Sequence, residues 1–245
     1  MSKLKEFVLD LFFPKFCLGC KKEGTYLCDD CHALLEITES GYCLCDSKPM
    51  RLPDPKSTPL KTGKCQRCRY KKLSGLYFAL PYKDQPLTKK LIYQFKYQPY
   101  LKDLAKTLAG IIAEHLFLSG KNTDDIWENG IIVPVPLDKN KLKVRGYNQS
   151  EELANELSKI IKIPVISKNL IKTKLTKPQM ELTKEQREKN LKNVFAIKNP
   201  DLIFGKKVFL VDDVYTTGST MEECCLALKR AGAKSVWGIA IAREG

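Results

Sequence analysis

Five short apolar runs, each bounded by polar residues, recur along the chain: Leu76–Tyr82, Ile131–Pro136, Pro164–Ile166, Val208–Asp212 and Ser235–Ala242. Runs of this kind predict buried strands of a parallel sheet. Between them the apolar positions return at helical spacing, which predicts helices near Pro86–Lys96, Leu101–Leu118, Gln149–Ile161 and Thr217–Ala231. In the last of these, Met221, Cys224, Cys225, Leu228 and Ala231 share one face, and Gly232 is the stop. Strands alternating with helices predict an α/β domain with a mostly parallel sheet and helices on both faces, over residues 74–245. Residues 1–73 lack that alternation. There Leu4, Phe7, Val8, Leu11 and Phe12 predict a short amphipathic helix ended near Pro14, which either docks on its own protein or lies on a membrane surface.

Cysteine spacing changes the picture for the first 73 residues. Cys17-x-x-Cys20 and Cys28-x-x-Cys31 form a pair of pairs, each turn directing two thiolates at one point, and together they supply a tetrahedral shell for zinc. Soft thiolate ligands exclude magnesium or calcium at this place. A second set, Cys43-x-Cys45 and Cys65-x-x-Cys68, is less regular, and Asp46 stands at the spacing from which it could replace Cys45. His32, beside Cys31, is read as an exposed neighbour. With four thiolate ligands a site is coordinatively closed, so these zinc ions are expected to be structural. Cys224 and Cys225 are read as small core residues.

No stretch approaches the about 18 to 20 apolar residues of a membrane span. Asp10 interrupts the first apolar run and no small-residue cleavage site follows it, so no secretory signal is expected. The expected compartment is the cytoplasm, where paired cysteines imply metal before disulfide. The amphipathic first helix leaves open a peripheral position at the inner face of the cytoplasmic membrane. Hydrophobic residues make up 43% and charged residues 29%, a globular composition. The charge is lopsided: 42 Lys+Arg against 28 Asp+Glu gives +14, a balance that favours polyanions such as nucleic acid or phosphorylated ligands.

The chemistry concentrates in Val208–Thr220. An apolar strand ends in Asp212 and Asp213, a loop of Thr216, Thr217, Gly218, Ser219 and Thr220 follows, and a helix begins. That order places a phosphate cradle at a helix N-terminus, at the carboxyl end of a parallel strand. The hydroxyls and amides of the loop wrap a monophosphate, and Gly218 lets the backbone approach it. Carboxylates repel phosphate, so Asp212 and Asp213 are suited instead to accepting hydrogen bonds from two vicinal ribose hydroxyls. A P-loop or a dinucleotide fingerprint would need glycine spacings that are absent here. The segment resembles the 5-phosphoribosyl 1-pyrophosphate (PRPP) motif of type I phosphoribosyltransferases. Upstream, Ile131–Leu137 ends in Lys139, Lys141, Lys143 and Arg145, a basic run that suits the pyrophosphate and its magnesium. Residues 174–195, with Lys177, Pro178, Gln179, Leu182, Arg187 and Asn190, read as a polar lid bearing a short helix.

In combination these features resemble the ComF family, in which an N-terminal cysteine module precedes a phosphoribosyltransferase-like domain. The motifs that carry the resemblance are Pro134-Val-Pro136, Arg145-Gly-Tyr-Asn148-Gln149, the Gln179…Phe195 segment and Val211-Asp-Asp-Val-Tyr-Thr-Thr-Gly-Ser-Thr220. Cys43-x-Cys45 departs from the family's CxxC. The resemblance implies a competence role: binding of imported single-stranded DNA during uptake and transformation, with a competence helicase or an inner-membrane DNA channel as partners. It implies nothing about turnover of PRPP. A phosphoribosyltransferase of nucleotide salvage and an inactive PRPP sensor therefore stay open as alternatives.

Overall fold

The computed structural model of the chain describes residues 14–45, 48–52, 63–120, 124–173 and 194–244. The helix expected over residues 4–12, Asp46, and the part of the lid carrying Lys177 and Arg187 lie outside the described residues. A single turn, α1 (Asp29–His32), sits within the cysteine region. Then follow β1 (Gly75–Pro81), α2 (Pro86–Lys96), α3 (Leu104–Leu118), α4 (Asp124–Trp127), β2 (Gly130–Pro134), α5 (Lys139–Arg145) and α6 (Gln149–Ile161). A small hairpin of β3 (Leu170–Lys172) and β4 (Phe195–Ile197) precedes β5 (Lys207–Tyr215), α7 (Ser219–Arg230) and β6 (Ser235–Arg243).

The main sheet has the order β1-β6-β5-β2, with all three pairings parallel. Residues alternate between its faces with period two, and both faces are covered, which is why the strands read as continuous apolar runs. Ile132, Phe209, Val211 and Ile239 pack on one face with Leu91 and Phe95 of α2, Leu108 and Ile112 of α3, and Leu153 and Leu157 of α6. Val133, Val208, Leu210 and Ala240 pack on the other with Met221, Cys224, Cys225 and Leu228 of α7 and with the small hairpin. Each fully buried large side chain contributes roughly 1.5–3 kcal/mol. Cys224 and Cys225 are core residues, as their helical spacing predicts.

Both edges of this sheet are managed rather than left open. The predicted strand at Pro164–Ile166 is reduced to one parallel bridge, Val165 beside Ile132, with Ile132 N donating to Pro164 O and Ile166 N to Ile132 O, each at 2.8 Å. At the β1 edge, the chain between the two cysteine sets supplies Thr38, whose amide donates to Ala79 O at 2.8 Å and whose hydroxyl donates to Phe78 O at 2.6 Å. The cysteine region thus straddles β1. Its first set, with Leu18, Leu27 and Leu35, joins the α3 side of the core, and its second set, with Leu44, joins the α7 side.

Candidate functional site

Each cysteine set closes on itself. Within Cys17, Cys20, Cys28 and Cys31, and within Cys43, Cys45, Cys65 and Cys68, all Sγ atoms lie within 4.8 Å of one another. Cys20 and Cys28 Sγ are 3.5 Å apart, Cys45 and Cys65 3.6 Å, and Cys65 and Cys68 3.7 Å. A tetrahedron with zinc–sulfur bonds of about 2.3 Å has edges of about 3.8 Å, so both donor sets fit zinc. Backbone amides point at the sulfurs, Cys28 N at Cys17 Sγ (3.4 Å) and Met50 N at Cys43 Sγ (3.0 Å), a polarity that stabilises thiolate. A Cβ on Gly19 would stand 2.4 Å from Cys31 Sγ, so the CxxC turn needs that glycine to close. Cys45 belongs to the second set in spite of its tight CxC spacing. His32 is no part of the first; its Nε2 lies 3.0 Å from Glu114 Oε2 and ties the module to α3.

At the carboxyl end of β5 the acidic pair is held from three directions. The strand runs further than its apolar run suggests, because Asp212 stays in register with Ala240, Val214 with Ala242 and Tyr215 with Arg243. Asp212 Oδ1 accepts from Ser150 Oγ at 3.0 Å and from Asp213 N at 2.9 Å. Burial, together with the charge of Asp213, pushes the Asp212 carboxyl up to about 7. Asp213 Oδ1 lies 2.8 Å from Lys96 Nζ, an ion pair between β5 and the end of α2. Burial opposes the charge of that ammonium, but the Asp213 carboxylate more than offsets it and raises the Lys96 pKa.

The Arg145-Gly-Tyr-Asn-Gln turn explains how Lys96 and Ser150 arrive there. Gly146, at φ 82°, ends α5 and Asn148 caps α6, its side chain accepting from Ser150 N. Asn148 Nδ2 also donates to Val135 O, fixing the turn to the end of β2. Tyr147 Oη and Gln149 Nε2 donate to Phe95 O at 2.7 and 3.4 Å, which satisfies the last turn of α2 and sets Lys96 beside Asp213. Lys96 and Ser150 carry no local sequence signal as partners of the acidic pair, since each lies far from it along the chain. Arg145 itself closes α5 with its guanidinium 5.8 Å from the Tyr97 ring centroid. The basic run read as the end of a strand is therefore a helix, α5, begun by Asp138, whose side chain accepts from Asn140 N.

The hydroxyl loop opens α7 as its composition predicts. Gly218 takes the N-cap at φ 78°, and Thr217 Oγ1 and Ser219 Oγ lie 2.9 Å apart. Behind the loop stands Tyr215, 1% exposed; its hydroxyl accepts from Lys71 Nζ (3.2 Å) and donates to Leu44 O (3.4 Å). Arg243, 2% exposed, stacks between the rings of Tyr215 and Phe78, with centroid distances of 5.4 and 5.5 Å. Its Nη1 donates to Cys43 O at 2.6 Å and its Nη2 to Cys45 O. The second cysteine set thus abuts the loop through two buried side chains that its own motif does not announce.

Residues 143–244 match the phosphoribosyl transferase domain family. The chain is 36% identical to competence protein F of Haemophilus influenzae over 156 residues, 61% of this chain and 66% of that one. It is 33% identical to the DNA utilization protein YhgH of Escherichia coli over 62% of this chain and 65% of that one. To competence protein ComFC of Bacillus subtilis it is 32% identical over 46% of this chain and 45% of that one. The alignments to the first two span just under two thirds of those relatives. Among the described residues no helix is long and apolar enough to cross a membrane. With a parallel sheet, an acidic pair before a capped hydroxyl loop, and two closed cysteine sets on one chain, the protein is similar to competence protein F, YhgH and ComFC, and its residues 143–244 match the phosphoribosyl transferase domain family.

Proposed function

We propose that this protein serves DNA uptake in the cytoplasm, binding single-stranded DNA, and that Asp212, Asp213 and Thr216–Thr220 hold PRPP. The observation that carries the phosphoribosyl reading is the junction of β5 and α7, where two carboxylates and a glycine-capped hydroxyl loop meet at a helix N-terminus. The loop amides and hydroxyls take the 5-phosphate, and the acidic pair takes the ribose hydroxyls. The pyrophosphate end lies toward the basic α5, which leaves the strand next to β5. Magnesium, when bound with the pyrophosphate, neutralises part of its charge. For the DNA reading, the support is the names of the relatives together with the net charge of +14.

Calorimetry with PRPP and magnesium tests the site. A charged hydrogen bond to a ribose hydroxyl contributes about 1.5–3 kcal/mol, so Asp213→Ala weakens binding by roughly ten- to a hundred-fold. Equal affinity of the wild type and the Asp212→Ala/Asp213→Ala variant removes the ligand from this site. Binding also depends on pH. With its pKa raised to about 7, Asp212 is partly protonated in the free protein at neutral pH, whereas hydroxyl donors favour the carboxylate. Affinity for ribose 5-phosphate therefore rises as pH passes upward through about 7, by a margin that Asp212→Asn lacks. The sign for folding is opposite. Below the raised folded value and above the ordinary 3.8, the folded chain holds a proton that the unfolded chain has lost, so the contribution of Asp212 to stability falls as pH rises through that window.

For DNA, fluorescence anisotropy over a salt series is expected to give a log–log slope of about −0.7 per phosphate neutralised. A deletion strain is expected to lose transformation. A slope near zero with normal transformation ends the DNA reading, and a growth defect on a purine or pyrimidine base assigns the site to salvage.

A further inference from the structure

At the end of α2, beside the basic α5, stands an aromatic pair that neither the core nor the phosphoribosyl site uses. Leu91, Ile92 and Phe95 point into the core, whereas Tyr93 on the last turn of α2 and Tyr97, the extended residue that ends it, are 56% and 43% exposed. Their ring centroids lie 5.0 Å apart, and the Arg145 guanidinium stands 5.8 Å from the Tyr97 ring on the side of α5. No residue of α5 is buried; Lys139, Lys141 and Lys143 are exposed and no acidic residue lies in the helix. Two wet aromatic rings, a guanidinium stacked on one of them, and a row of ammonium groups make a surface that takes planar rings and phosphates together.

We infer that Tyr93, Tyr97 and Arg145 form the base-stacking platform on which a single-stranded nucleic acid lies, with its backbone phosphates running along the lysines of α5. The inference rests on the DNA reading above and names its surface. Base–aromatic stacking is indifferent to sequence because every base has a π-face, while backbone contacts to lysine add affinity and salt dependence. Arg145 serves both, its plane against a ring and its N–H groups toward phosphate. The platform adjoins the acidic pair: Lys96, the last residue of α2 and the neighbour of Tyr97, is the residue that reaches Asp213. A strand lying here therefore ends within reach of the phosphoribosyl site. A depression at the other end of the sheet, lined by Lys206, Lys207 and Lys234 with Phe204 and Glu128, is also basic, but among the described residues Phe204 is its one ring. It provides the control.

The experiment measures binding of a labelled oligothymidylate to the full chain by anisotropy across a salt series, with circular dichroism and PRPP calorimetry on every variant. Tyr93→Ala and Tyr97→Ala are each expected to weaken binding by roughly 5- to 150-fold with the salt slope unchanged, while Tyr93→Phe and Tyr97→Phe keep the wild-type affinity. Lys139→Ala, Lys141→Ala and Lys143→Ala are each expected to reduce the slope by about 0.7. Lys234→Ala is expected to change little, and PRPP affinity to hold in the tyrosine variants. If the wild type does not bind the oligonucleotide, the DNA reading falls and the platform with it. If the wild type binds and the Tyr→Ala variants bind as tightly, or if Lys234→Ala alone loses binding, the platform is wrong and the DNA reading stands. If the tyrosine variants lose binding to vesicles of anionic lipid and keep the oligonucleotide, the surface is a membrane contact and the inference is overturned.

Discussion

The pair Cys65→Ser/Cys68→Ser is expected to cost the protein one metal ion and at least ten-fold of its affinity for PRPP, whereas Cys17→Ser/Cys20→Ser costs one metal ion and leaves that affinity within about two-fold. Both pairs destabilise, because a structural zinc supplies much of the folding free energy of a small cysteine module, about 10–16 kcal/mol in isolated zinc-finger peptides. They differ in what lies behind them. The carbonyls of Cys43 and Cys45 are the acceptors for Arg243, and the carbonyl of the intervening Leu44 is the acceptor for Tyr215. Arg243 Nε is buried without a hydrogen-bond partner among the described residues, so the two carbonyls are what hold this guanidinium in place. If the module loosens, Tyr215 loses its acceptor and its stacking partner together, and the loop resting on it loses its fixed geometry. The first set packs on the opposite face of the sheet, against α3. Elemental analysis, thermal melting and PRPP calorimetry on the two variants give the comparison. Equal losses of affinity in both would show that the modules act only through global stability.

Sequence pattern reached the parts of this fold whose signal is local. The bounds of α2 and α6 match their periodicity because each has a clear apolar stripe and a stop, Lys162 at φ 59° after α6. The hydroxyl loop before α7 was legible for the same reason: strand, carboxylates, hydroxyls and helix start follow one another without interruption. Helix α5 was hidden because a helix with no buried residue has no apolar period, and its evidence is a capping Asp138 and a Gly146 in the left-handed region. β3 and β4 pair over three residues each, too short for alternation to register, with residues 174–193 between them. Beyond recovery by pattern were the long-range partners: Lys96 with Asp213, Ser150 with Asp212, and Arg243 with Cys43 and Cys45. They exist because the parallel order β6-β5-β2 brings three separate helix and strand ends to one edge. At Cys45 the chain spacing left Asp46 open as a replacement ligand, and the folded backbone brings the Cys45 sulfur to the other three.

Gly218→Ala is expected to weaken PRPP binding at least a hundred-fold, and Gly120→Ala to leave it unchanged, although both glycines lie in the left-handed region, at φ 78° and 65°. For either one, an alanine there costs roughly 1–2 kcal/mol of backbone strain. Among the described residues a Cβ on Gly120 meets nothing within 4 Å, so strain is the effect, read as a lower melting temperature with normal binding. On Gly218 the same atom would stand 2.3 Å from the Tyr215 hydroxyl oxygen and 2.5 Å from the ring carbon that carries it. Tyr215 cannot retreat, because Arg243 stacks on its ring and the Leu44 carbonyl holds its hydroxyl. The loop must move instead. Displacing it takes the amides of residues 216–220 off the 5-phosphate, and losing two charge-assisted hydrogen bonds at about 1.5–3 kcal/mol each exceeds a hundred-fold. Calorimetry with PRPP and magnesium on both variants, each checked for folding by circular dichroism, separates strain from displacement. A Gly218→Ala protein that binds as the wild type does would mean that the phosphate sits elsewhere than against this loop.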